Sequence, residues 1–443
     1  MKKKILVLLF LVFSPACFAN SFFVSAAASG ANDGSDWNNA WKGWSSIKWG
    51  SIRAGDTVYV AGGRYTGTLL IGASGTPGKM ITIQRGLSTD SAATSAAGWN
   101  PAFDSKILHN TPSAAAGISF HNSVGSYVTI DGRTNSGWVI TYGNNSSGID
   151  ANGTPVSNIT LRYINVVGPG KIRQTGDARA INLTPEGGGP LSNVTIQYCE
   201  ASGGDSCMYL AAAGGVNNAL IEHSAFHDAG AINASDYHPN LIYCGKITNS
   251  TFRYNKFYNI SVEGLFFGDP GNDNVLIYGN LFYQGSAMRD SGRGIEFDYK
   301  ATGTNFKIYN NTFASLPLPG IRFSGTNHAG TDVQNNIFWQ TTLSSAPGVK
   351  QDYNFFSGPA SEPHGISNGS DPFVNSAKYD YHLNSKVGPS FPRRKGANLG
   401  SSYRTDLDGS LHGSDGAWDM GACAYVSDRS AAPQPTAKSR IVQ

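Results

Sequence analysis

The run Arg293-Gly-Ile-Glu296-Phe-Asp298-Tyr-Lys300 holds the densest set of chemically capable side chains in this 443-residue sequence. Read as an extended strand, it sends Glu296, Asp298 and Lys300 to one side and Ile295, Phe297 and Tyr299 to the other. Carboxylates two residues apart on a strand have Cα atoms about 6.5 Å apart. Such a pair suits calcium, or an acid and a base flanking a glycosidic bond. It also suits an ordinary salt bridge, because Arg322 falls one repeat further on, about 4.8 Å away across a sheet. A second group is Asp236-Tyr237-His238-Pro239-Asn240. Elimination from a uronic acid needs a neutraliser for the sugar carboxylate, a base for the C5 proton and an acid for the leaving oxygen. Histidine can be the base, tyrosine the acid, and arginine or calcium the neutraliser. Tyr237 and His238 face opposite sides of an extended chain, so both serve one site only where the chain turns.

The elements that position these residues announce themselves by repetition. Asn255, Asn280, Asn311 and Asn336 recur at intervals of 25, 31 and 25 residues, each followed two residues later by phenylalanine: Phe257, Phe282, Phe313 and Phe338. Three residues before each lies Phe252, Ile277, Ile308 or Val333. The column continues upstream through Ile221, Ser224 and Phe226, through Ile196, Cys199 and Ala201, and through Leu161, Ile164 and Val166. Seven such units predict a stack in which each coil buries its apolar face against its neighbours. Period-2 alternation between Gly, Asn, Asp and Pro turns makes the coils all-β. Asparagines stacked at one turn can bond their copies above and below, so the column reads as structural.

A second row of strands runs upstream in each coil. Alternation predicts Ile149, Ile181, Leu241, Leu265, Ile295 and Ile321 inward, with Asp150, Asn182, Leu210, Ile242, Phe266, Glu296 and Arg322 outward. Three insertions enter at one corner, at 168–178, 227–238 and 284–292, and are expected to wall a groove beside the outward row. They carry Lys171, Arg173 and Arg289, which with Arg293, Lys300 and Arg322 gather cations around one face. Lys171, Arg173, Arg289, Lys300 and Arg322 are therefore expected to bind substrate, and His238, Tyr237, Arg293, Glu296 and Asp298 to carry the chemistry.

These residues resemble a single-stranded right-handed parallel β-helix (solenoid) of the pectate-lyase-like superfamily over roughly 22–425. The opening Phe22-Phe-Val-Ser, Asp33-Gly and Ala54-Gly-Asp-Thr-Val-Tyr-Val-Ala-Gly-Gly-Arg-Tyr is similar to that of many secreted β-helix proteins. So is the closing Asp406-Leu-Asp-Gly with Gly416-Ala-Trp-Asp-Met-Gly-Ala-Cys-Ala-Tyr. The resemblance implies the fold, and one fold hosts many functions. Pectate lyases of that superfamily use arginine or lysine as base beside acidic calcium ligands, and no motif here fixes those positions. The cofactor is therefore unknown, calcium is one option, and no residue is assigned as a metal ligand.

Three lysines and the apolar run 5–13 read as a signal peptide over 1–19, with lipidation at Cys17 the alternative. The β-helix domain then covers 20–425, and an Ala-, Ser- and Pro-rich flexible tail covers 426–443. No later segment is long and apolar enough to cross a membrane. Secretion or export to a periplasm follows, with the mature chain expected to be a monomer free of the membrane. Residues 36–47, with Trp37, Trp41 and Trp44 at helical spacing, predict an N-terminal helical cap; a sugar-stacking platform is the alternative. Cys199, Cys207, Cys244 and Cys423 allow three pairings, and their spacings do not resemble a zinc site. Net charge is only +3, and no basic cluster has interleaved aromatics, so nucleic acid is excluded as a partner.

The expected partner is a polysaccharide. The leading expectation is a lyase acting on a uronate-containing polymer. The alternatives are an inverting glycoside hydrolase using Glu296 and Asp298, and a non-catalytic glycan-binding surface or matrix protein. Outward Leu210, Ile242 and Phe266 would give the binder an apolar strip.

Overall fold

The computed structural model describes residues 19–111, 115–120, 124–153, 155–170, 178–185, 189–230, 239–285 and 291–427. Among these, strands form three long sheets of 13, 9 and 12 strands, and each strand pairs with its counterpart in the next coil. All of these pairings are parallel, as in Leu161↔Ile196, Ile196↔Ile221, Phe252↔Ile277 and Ile308↔Val333. The chain is therefore a parallel β-helix, and the expected column is its interior.

Two interior ladders hold the stack. Val166, Ala201, Phe226, Phe257, Phe282, Phe313, Phe338 and Phe356 stand in register. Phe282 is fully buried, its ring 4.5 Å from Phe257 and 4.8 Å from Phe313. Beside it, the Nδ2 amides of Asn255, Asn280, Asn311 and Asn336 each donate to Oδ1 of the next asparagine at 3.0 Å, ending at Asn354. The residue before each rung is left-handed, from Tyr163 and Tyr198 through Tyr254 and Asn310 to Tyr353. A bulky residue there is strained unless neighbours fix it. Stacking of Tyr163 on Tyr198 at 4.9 Å, and of Tyr198 on His223 at 5.0 Å, supplies that constraint.

The ends differ from expectation in form. Residues 36–47 are not a helix: they are bends with a 3-10 turn at Trp44–Ser46. Asp36 accepts from the Asn39 amide at 2.8 Å, and Trp41 bridges to Val24 as a strand would. These contacts, with Gly43 extended ahead of the turn, beat the helical spacing. All three tryptophans are nevertheless buried and present no sugar platform: Trp41 and Trp44, the latter stacked 4.5 Å from Tyr65, join the interior core and close the mouth, whereas Trp37 packs on Phe23 at 4.7 Å in a separate cluster. At the other end, Asn354 Nδ2 donates to Glu362 Oε2 at 3.0 Å, closing the amide ladder on a carboxylate.

All four cysteines among the described residues are buried and none is in a disulfide, so none of the three pairings forms. Cys199 packs in the turn column as expected. No helix of the described residues is long and apolar enough to cross a membrane. The expected signal peptide lies outside the described residues except for Ala19, and the tail except for Val426 and Ser427.

Candidate functional site

The outer face of the nine-stranded sheet differs from the alternation read in sequence at two strands. Ile181 pairs with Met208, Met208 with Ile242, and Ile242 with Leu265, so Ile242 is inward. Leu210, Leu241 and Ile242 are all buried. The outward row is Asp150, Asn182, Tyr209, Tyr243, Phe266, Glu296 and Arg322. An all-apolar run such as Cys207-Met208-Tyr209-Leu210 has no alternation to fix its phase, so a one-residue slip exchanges the faces. The expected apolar strip thus keeps Phe266 but takes Tyr209 and Tyr243 in place of Leu210 and Ile242. Tyr209 stacks on Tyr243 at 4.9 Å, and Phe266 is tilted 5.7 Å beyond. The Arg179 guanidinium covers the far face of Tyr209 at 3.8 Å. Because the faces cover one another, the row offers ring edges and two hydroxyls outward. The Tyr243 hydroxyl donates to Asp269 at 3.4 Å.

This row runs into a compact charged cluster. In the strand Arg293–Phe297 the side chains of the first and fourth residues meet. Arg293 thus reaches Glu296 in its own strand, forming an ion pair with Oε2. Register places Glu263 beside Arg293 and Phe266 beside Glu296. Arg322 approaches Glu296 Oε1 at 3.5 Å, confirming the salt bridge expected from the repeat. Ser324 reaches the same oxygen at 3.5 Å. The strand needs Gly294 here, because a Cβ at that position would lie 2.5 Å from the Phe313 ring.

Glu263 was not singled out in the sequence. It is 2% exposed, and among the described residues no donor reaches its Oε2. Its carboxyl meets that of Glu296, and burial, then the charge of Glu296, push its pKa up to about 8, against the pull of Arg293. Glu263 therefore keeps its proton near neutral pH, beside Glu296. The column position of Glu263, shared with Arg293 and Arg179, was the available signal; only packing reveals that two carboxyls touch.

A raised carboxyl pKa means that the folded state holds the proton more tightly than the unfolded state. Its contribution to stability is complete below about 4.5 and is lost as pH rises toward about 8. Melting temperature should therefore decline across that window, and Glu263→Gln should flatten the decline. A profile that is the same in both proteins would refute the raised pKa of Glu263.

The remaining expected residues separate. The strand ends at Phe297, so Tyr299 is not inward: it is 66% exposed, with Lys300 over its ring at 5.1 Å. Asp298 lies beyond the strand end, where its backbone amide donates to the Phe267 carbonyl at 3.0 Å. Lys171, Arg173, Tyr237, His238 and Arg289 lie outside the described residues. Their segments leave the sheet ending at Val167, His227 and Tyr283 and enter the nine-stranded sheet at Arg179, Asn240 and Arg293, so the insertions share one corner. At that corner His227, also not singled out, bonds Asp228 at 2.6 Å and Glu200 at 2.9 Å. Burial opposes its charge, but the two carboxylates outweigh burial and raise its pKa.

The sequence family described as a right-handed β-helix region matches residues 177–338. Among solved structures, XylC in complex with xylose aligns at a TM-score of 0.53 and 9% identity, covering 92% of this chain and 99% of that one. The pectate lyase Pel9A aligns at a TM-score of 0.51 and 13% identity, covering 92% and 96%. No protein of curated function matches the sequence. With the register above, these likenesses fix the architecture: the protein has the fold of a right-handed parallel β-helix.

Proposed function

We propose that the protein is an exported polysaccharide lyase that cleaves a uronate-containing polymer by β-elimination on the outer face of the nine-stranded sheet. The contact between Glu263 and Glu296 carries this reading. One proton on that pair leaves one negative charge against the two guanidiniums of Arg293 and Arg322, so the site has a net positive charge for a sugar carboxylate. Arg322, 48% exposed at its side chain, is free to turn toward substrate, whereas Arg293 is held in the sheet. Glu296 takes the C5 proton, the C4–C5 double bond forms, and the C4–O4 bond breaks. Glu263 delivers its proton to the departing O4. The pair again holds one proton, which passes across the shared contact for the next turnover. The edges of Tyr209, Tyr243 and Phe266 would line the path of the chain. Lys171, Arg173 and Arg289 would add cations at the insertion corner, and Tyr237 and His238 a further proton carrier. The reading needs no calcium, since arginines already occupy both oxygens of Glu296.

Alginate, pectate, glycosaminoglycans and bacterial exopolysaccharides should be incubated with the protein and followed by ultraviolet absorbance of the unsaturated product. Arg322→Ala should lower kcat/KM by about 10²-fold on the polymer that reacts, through loss of charge stabilisation. Reducing ends that appear without absorbance would overturn elimination. They would support a glycoside hydrolase using the same pair, since one protonated and one ionised carboxyl is also what hydrolysis requires. The touching carboxyls favour elimination, because glycosidases keep theirs about 5 Å or more apart. Of the three residues behind a purely binding role, Leu210 and Ile242 are buried and Phe266 alone stays in the outward row.

A further inference from the structure

We propose that His382, Asp408 and Cys423 bind a zinc-like transition-metal dication in the C-terminal region, with Asp380 orienting the histidine. An imidazole nitrogen, a carboxylate oxygen and a thiol sulfur from these three residues all lie within 4.8 Å of one another. Three separate stretches bring them together. His382 stands on the strand Asp380–Leu383, which pairs antiparallel with Phe373–Asn375. Asp408 sits in a tight turn whose amides, from Asp408 and Ser410, donate to the Asp406 carboxylate. Cys423 is fixed from both sides: the Ala422 carbonyl accepts from the Leu407 amide at 2.9 Å, and the Ala424 amide donates to Asp406 at 2.8 Å.

The donor set selects the ion. A thiolate disfavours calcium and magnesium, whereas one nitrogen, one oxygen and one sulfur suit zinc. Asp380 supplies the outer shell such sites require: its carboxylate meets His382 Nδ1 at 2.5 Å, holding the proton there and leaving Nε2 to bind. Nε2 now meets Asp408 Oδ2 at 2.6 Å. Tetrahedral ligands around zinc sit about 3.4 Å apart, so this contact opens by roughly 1 Å as the ion enters. The thiol proton leaves on binding. The Asp408 side chain is 37% exposed, which provides entry and leaves a fourth position for water or a small anion. The ligands stand 26 and 15 residues apart (408−382 and 423−408), which is why cysteine spacing alone predicts no zinc site.

Cobalt(II) serves as the probe, titrated into the full chain after removal of metal by a chelator. A thiolate-to-cobalt charge-transfer band should appear at one equivalent and vanish when zinc is added, and zinc should raise the melting temperature. Cys423→Ser should abolish the band, and Asp380→Asn should weaken binding about 10–100-fold while keeping it. Should Cys423→Ser fail to fold, His382→Gln tests the same site from another stretch and should weaken binding at least as much as Asp380→Asn. Absence of both band and melting shift overturns the proposal, as does a band that persists without Cys423. Cys199, Cys207 and Cys244 are buried in the solenoid and do not provide an alternative source.

Discussion

Glu263→Gln is expected to lower kcat by about 10²–10⁴-fold, the range for removal of a positioned proton carrier. The substitution preserves shape, and its amide can still donate to Glu296, so the fold and the Arg293 ion pair should persist. What it removes is the proton that the leaving oxygen requires. Wild-type activity should fall on the alkaline side as Glu263 loses its proton, with an inflection tied to the value near 8. Both the rate and the inflection are measured from initial ultraviolet rates across pH. A variant that retains more than a tenth of wild-type kcat would remove Glu263 from the chemistry and leave the pair as a structural contact.

The second large effect concerns stability. Phe282→Ala should cost about 3–5 kcal/mol, because the cavity would sit between two stacked rings in a column that cannot collapse without shifting its register. Asn280→Leu should cost at least as much, about 3–9 kcal/mol, at about 1–3 for each of three polar groups left bare. Asn280 Nδ2 donates to the Phe252 carbonyl at 2.9 Å, and its Oδ1 accepts from the Asn255 amide at 2.9 Å as well as from Asn255 Nδ2. All of these partners are buried. Denaturant unfolding measures both variants, and wild-type stability in either would mean that the column is not the ladder described.

The ladder was legible because one residue type recurs at one place, and a repeated asparagine in an apolar setting has few explanations besides stacking. The outward row was legible wherever polar and apolar residues alternate, as at Glu296 and Arg322. It failed at Met208–Leu210 and Leu241–Ile242, where every residue is apolar and phase carries no signal. Glu263 escaped because a lone glutamate before a glycine is ordinary in sequence; its chemistry comes from burial beside a carboxylate in the next coil. Trp41 and Trp44 were placed correctly as a plug, Trp37 was not, and the segment was wrongly read as a helix, since burial follows composition while backbone form follows local turns.

The amide ladder carries a further implication. Its rungs at Asn255, Asn280, Asn311 and Asn336 make the same donation at the same 3.0 Å, whether the acceptor lies 18, 25 or 31 residues on. An interior coil is therefore an interchangeable part: nothing in a rung counts how many precede it. The ends are unique, with a tryptophan plug on one side and the Glu362 carboxylate receiving the last amide on the other. Length in this architecture is thus free to drift by whole coils through duplication or loss, and with it the reach of the outer face, while the two terminators stay the same.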